Sequence, residues 1–86
     1  INKEDSNKYG SVAYKITNMT PNTIYIVSVE SATNMNWLEA RATELQSLAE
    51  GSSSITINTG NNTSIYVCLY CNNNQGTYSN LKITQQ

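Results

Sequence analysis

From residue 55 onward, apolar residues alternate with polar ones in three short runs separated by polar turns. In 63–71, Ile65, Val67, Leu69 and Cys71 occupy one parity, and Tyr66, Cys68 and Tyr70 the other. This period of two predicts a strand with one face buried. The ITI of 55–57 predicts a shorter strand. Residues 77–84 predict a final one, with Leu81 and Ile83 inward and Tyr78, Asn80 and Lys82 outward. The segments between them are rich in Gly, Ser and Asn (GSSS at 51–54, NTGNN at 58–62, NNNQG at 72–76) and read as turns or loops.

The same pattern reaches upstream. Val12, Tyr14 and Ile16 alternate with Ala13, Lys15 and Thr17, predicting a half-buried strand over 9–17. Pro21 and Asn22 predict a turn, because Pro presets φ and Asn tolerates a left-handed backbone. The β-branched, apolar run TIYIVSVESA at 23–32 predicts a strand. Tyr25, Val27 and Val29 face inward there; Ile24, Ile26, Ser28 and Glu30 form the other face. Residues 1–8, INKEDSNK, are polar and charged and read as a linker or N-terminal arm. The remaining 9–86 reads as a single module.

Residues 36–50 support two readings. Leu38, Ala42, Leu45 and Ala49 lie at helical spacing, Asn36 can cap the first turn, and Gly51 follows as a stop. As a strand, the same segment points Leu38, Ala40 and Ala42 inward and Trp37, Glu39, Arg41 and Thr43 outward. Propensity favours the helix, since Ala, Leu and Glu are strong helix formers.

Composition narrows the functional classes. Only 13% of the 86 residues are charged and the net charge is −1. Neither nucleic acid nor an acidic membrane surface is recruited by such a field. No apolar run approaches the roughly 20 residues of a membrane-spanning helix. The surface polarity comes from Asn, Ser and Thr, as is common in extracellular and virion proteins. The chain starts at Ile1, which suggests a part of something longer. It has no His, so Ser-His-Asp and Cys-His mechanisms have no base. Glu30, Glu39, Glu44 and Glu50 are not paired by any pattern, as glycoside hydrolysis would need. No enzyme activity is expected. Cys68 and Cys71, three apart in a strand, point to opposite faces and read as two free thiols. That argues against maturation through an oxidising route. Glu4 and Asp5 cannot alone satisfy calcium, which takes about six to eight oxygen ligands, so no metal or cofactor is expected. The sequons headed by Asn18, Asn61 and Asn62 match the chance product of Asn-rich turns.

The pieces MTPNTIYIVSVES, WLEARATEL and SSSITINTGNNTSIYVCLYCNNNQGTYSNLKI, in that order, resemble small jelly-roll, carbohydrate-binding-module-like β-sandwiches. Such modules occur in bacteriophage tail, fibre and appendage proteins and in secreted glycan-active proteins. The resemblance covers residues 9–86 and rests on turns and strands, with no chemical signature. It implies a strand for 37–45 and a ligand lying on one sheet face or on its edge loops.

The sharpest candidate site is therefore an outward sheet face. Trp37, Glu39 and Arg41 share one face of their strand, Tyr66 and Tyr70 share one face of theirs, and Tyr78 extends it. Aromatic rings stack on the apolar face of a pyranose while charged and amide groups bond its hydroxyls. The same aromatics also read as packing residues, since a sole Trp in a small domain is more often core than platform.

The expectation is an all-β, jelly-roll-like antiparallel β-sandwich, with an α+β fold carrying one helix at about 37–50 as the alternative. The expected role is a non-catalytic module of a bacteriophage virion that mediates attachment, with surface glycan as ligand. The alternatives are a purely structural assembly or decoration module, and a carbohydrate-binding module of a secreted bacterial glycan-active protein. A virion or extracellular surface location follows, with neighbouring subunits as partners and a homotrimer as one arrangement.

Overall fold

The computed structural model describes residues 2–6, 12–43, 45–71 and 77–86; for residues 2–6, 35, 36 and 71 it describes the backbone. Among the described residues there are ten strands and no helix: β1 (Asn2–Ser6), β2 (Val12–Thr17), β3 (Ile24–Ser28), β4 (Ser31–Thr33), β5 (Met35–Thr43), β6 (Gln46–Gly51), β7 (Ser54–Asn58), β8 (Ile65–Cys71), β9 (Thr77–Ser79) and β10 (Lys82–Gln85). All pairings are antiparallel. They build a five-stranded sheet in the order β1-β2-β8-β5-β6, a three-stranded sheet in the order β10-β3-β7, and a two-stranded ribbon of β4 and β9. The fold is all-β and sandwich-like.

The core lies between the two larger sheets. The five-stranded sheet contributes Ile16, Leu38, Ala40, Ile65, Val67 and Leu69; the three-stranded sheet contributes Tyr25, Val27, Ile55 and Ile57. Met19 and Val29 enter from the connections. These side chains are mostly β-branched, which suits a pleated surface. Each large one removed from water contributes about 1.5–3 kcal/mol. The inward parities expected for 23–32 and 63–71 are the buried ones, except that Cys71 is described by backbone alone.

Two turns hold one end of the sandwich together. Asn22 has φ 51° beside Pro21, as the turn chemistry predicts. The 18–23 turn docks against the connection after β7. Met19 N donates to Thr63 O at 2.9 Å and Asn22 N to Gly60 O at 2.7 Å. Thr59, fully buried, sits between them. Its hydroxyl donates to Thr20 O at 2.7 Å and accepts from Thr23 N at 3.0 Å. At the sandwich's side, the chain passes from β6 to β7 through Ser52 and Ser53, tying the two sheets at that corner.

The strand reading of 36–50 holds against its helical alternative, and three other expectations are corrected. Residues 36–50 form no helix but a β5–β6 hairpin, Ala40 opposite Ala49. Leu45, on the buried face in the helix reading, is 96% exposed at the hairpin tip. Pairing of β5 with β8 on its other side, from Met35 to Arg41, supplies what propensity lacks. The 1–8 segment is not simply an arm, since Asn2–Ser6 pair with β2 as an edge strand. An edge strand needs no apolar alternation, and charges there discourage further pairing. The 77–84 strand is two strands, broken at Asn80 with φ 51°. Val12, assigned to the buried parity of β2, is exposed, and Ala13 on the other parity is buried. Residues 9–11 and the 72–76 loop lie outside the described residues.

Candidate functional site

The outer face of the five-stranded sheet is built by register. On β8, Ile65, Val67 and Leu69 go to the core, so Tyr66, Cys68 and Tyr70 turn the other way. On β5, Leu38 and Ala40 go to the core, so Trp37, Glu39 and Arg41 share that outer face. Pairing aligns the two sets: Trp37 with Tyr70, Glu39 with Cys68, Arg41 with Tyr66. The neighbouring strands extend the rows. Ala13 lies opposite Cys68 and Lys15 opposite Tyr66, while Glu50 lies opposite Glu39 and Ser47 opposite Arg41.

Trp37 is 39% exposed. Its ring stacks on that of Tyr70, with centroids 4.4 Å apart and planes 23° from parallel. Such a pair contributes about 0.5–1.5 kcal/mol beyond its buried area. On the same face of β5, Glu39 is only 4% exposed. Glu39 Oε1 accepts from Tyr70 OH at 3.0 Å and from Arg41 Nε at 2.8 Å. The Ser47 hydroxyl adds a further bond.

The electrostatics follow from this network. Burial pushes the Glu39 carboxyl up, but the bonds from Arg41, Ser47 and Tyr70 and the Arg41 charge outweigh it, holding the group below the usual glutamate value. Burial raises Tyr70 to about 12, helped by its bond to Glu39. Burial raises the Cys68 thiol to about 11, with the Glu39 charge adding to it. Cys68 is a free, fully buried thiol and makes a poor nucleophile, because the thiolate is the reactive form.

Five of the six residues expected from sequence thus come together: Trp37, Glu39, Arg41, Tyr66 and Tyr70. Tyr78 does not join them. It lies in β9, which pairs with β4 in the separate ribbon. Its ring packs against the core and meets Tyr14 edge-on, with centroids 6.3 Å apart. Tyr14 and Lys15 point to opposite faces of β2, so Tyr78 stands on the side away from Trp37. The break at Asn80 removes the single long strand on which its outward placement depended.

The role of Glu39 also differs from a direct ligand contact. Its carboxylate is turned to protein donors and covered, leaving Trp37 and the half-buried Arg41 as the groups presented to solvent. Sequence reasoning passed over Lys15, Ser47 and Cys68 for this face, because only the cross-strand register brings them beside Glu39 and Arg41. The arrangement can hold a flat apolar surface against an indole ring, with a guanidinium and hydroxyls at its rim. Among the described residues, no three of His, Cys, Asp and Glu cluster closely enough to hold a metal ion, and no helix is long and apolar enough to cross a membrane. Comparison of the chain with family models, curated proteins and solved structures returns no match.

Proposed function

We propose that this chain is a non-catalytic binding module that takes a surface glycan on the outer face of its five-stranded sheet, in the service of attachment. One observation carries the reading: Trp37 is exposed on a sheet face and stacks on Tyr70, whose hydroxyl is held by the Glu39–Arg41 pair. A packing tryptophan is enclosed by apolar neighbours; this one has one ring face stacked and is supported by a polar network. A pyranose presents an apolar C–H face to such an indole, and Arg41 can bond the ring hydroxyls. The low charge and the Asn-, Ser- and Thr-rich composition fit a surface role. The jelly-roll, carbohydrate-binding-module-like class and a setting in a bacteriophage tail, fibre or appendage belong to this proposal; a secreted glycan-active protein is the other setting.

The test is a glycan array on the purified chain and on Trp37→Ala, with circular dichroism on both. Binding to a defined set of glycans, lost in Trp37→Ala while the strand signal stays, supports the reading. Absence of binding by the wild type, or undiminished binding by the variant, overturns it.

A structural assembly role is the second reading. Its observation is the outer face of the three-stranded sheet, where Ile24 is 40% exposed and Ile26 lies beside it half-buried. Sedimentation velocity distinguishes the two: a self-associating chain that Ile24→Lys renders monomeric would favour assembly.

A further inference from the structure

Glu39 is the only buried acidic side chain among the described residues. It lies at the centre of the outer face, and the site built around it does more than display a ring. On its own strand it is flanked by Trp37 and Arg41. From β8, Cys68 faces it directly, with Tyr66 and Tyr70 on either side. From β6 come Glu50 and Ser47, and from β2, one strand beyond β8, Lys15. A single oxygen, Oε1, takes both the Tyr70 hydroxyl and the Arg41 guanidinium. Tyr70 in turn carries the ring on which Trp37 stacks. The chain of contacts runs from carboxylate to phenol to indole without a gap.

We propose that Glu39 is a positioning residue for the Trp37–Tyr70 pair, and that protonating it loosens the pair and makes this face acid-sensitive. The charged carboxylate makes charge-assisted bonds, about twice as strong as neutral ones. Adding a proton removes that charge. Arg41 then loses its counter-charge, and the Tyr70 hydroxyl is left with a neutral, weaker acceptor. The phenol is held less firmly, and with it the ring on which Trp37 stacks. Neither Cys68, at about 11, nor Tyr70, at about 12, ionises in the acid range. Glu50 is the other carboxylate in this row, so Glu50→Gln is the control.

Trp37 is the sole tryptophan and reports on its own surroundings. Its emission is followed from pH 7 to pH 3, with far-UV circular dichroism on the same samples. The expected result is a step in emission with a midpoint below 4.5, the ordinary glutamate value, ahead of any loss of strand signal. The step is kept in Glu50→Gln and absent in Glu39→Gln, whose emission at pH 7 already matches the acid form of the wild type. Tyr70→Phe keeps the ring but not the hydroxyl, and loses at least half of the step; it carries the test if Glu39→Gln does not fold. A step that persists in Glu39→Gln or in full in Tyr70→Phe, that is absent from the wild type, or that coincides with unfolding overturns the proposal. The consequence for ligand binding rests on the glycan reading above, but the fluorescence step needs no ligand. Failure on the array therefore leaves the coupling standing, and absence of the step leaves glycan binding standing.

Discussion

Thr59→Val tests the joint that closes one end of the sandwich. Valine replaces the hydroxyl by a methyl group of nearly the same size, so the packing around this fully buried residue is kept. Three hydrogen bonds go, of which the longest, to Thr23 O at 3.2 Å, costs little because the Thr59 amide still serves that carbonyl. The bond to Thr20 O, 2.7 Å long, costs about 1 kcal/mol, since Thr20 is exposed and its carbonyl can turn to water. The bond from Thr23 N, 3.0 Å long, costs more. Thr23 is half-buried, and its amide is left without a partner, a penalty of about 1–2 kcal/mol. The sum is about 2–3 kcal/mol. For a domain of this size, about 1 kcal/mol moves the melting temperature by about 4–8 °C, so the expected fall is about 8–24 °C. Thr59→Ser makes the opposite trade. It keeps the hydroxyl and gives up one buried methyl, at about 1 kcal/mol. Thermal and urea unfolding followed by circular dichroism would rank the three proteins as wild type, then serine, then valine. If valine were as stable as the wild type, or more stable than serine, the hydroxyl would be incidental and the joint would be held by packing alone.

Other outcomes follow from single positions. Leu38→Ala, at the centre of the core, should cost about 2–5 kcal/mol, read as loss of the cooperative unfolding transition or a large drop in its midpoint. At Gly51, an added Cβ would stand 3.0 Å from Ser54 O and 3.1 Å from Ile55 Cγ2. Gly51→Ala should therefore cost about 1–3 kcal/mol, measured by urea unfolding. Cys68, buried and raised to about 11, should resist a thiol reagent at pH 8 in a Cys71→Ser background and react fully once urea is added. The fold holds Glu39 below its ordinary value. Its stabilisation is thus fully present above that value and is lost as pH falls through the lowered one. Urea midpoints from pH 7 to pH 3 should drop more steeply for the wild type than for Glu39→Gln.

What could be read along the chain depended on whether an element's identity is local. β3 and β8 are short runs of β-branched and apolar residues bounded by turn residues, with Tyr25 and Val27 on one parity and Ile65, Val67 and Leu69 on another, so local pattern identified both them and these inward residues. The 36–50 segment was ambiguous because Leu38, Ala42, Leu45 and Ala49 satisfy a helix locally, while the partner that decides against it, β8, starts at Ile65. β1 gave no signal because a polar edge strand is specified by what it pairs with. The candidate face was legible to the extent that strand parity placed it: Trp37, Glu39 and Arg41 on one strand, Tyr66 and Tyr70 on the next. Parity could not reveal that Glu39 is covered, because its cover comes from Tyr70 across β8 and Arg41 and Ser47 along the β5–β6 hairpin. Tyr78 failed for a related reason. One backbone reversal at Asn80 sends its strand to a different sheet.

The position of β8 between β2 and β5 also governs how the molecule is made. The β1–β2 and β5–β6 hairpins join near neighbours, whereas the two inner pairings of the large sheet bring residues 12–16 and 35–41 onto 65–71. During synthesis, until residues 65–71 emerge, β2 and β5 each present an unpaired edge and half of the core has no second wall. Folding of such non-local sheets is slow, and unpaired edges in a waiting chain invite association with other chains. The chain is thus open to association while it waits for β8, whose arrival closes the two inner edges of the large sheet.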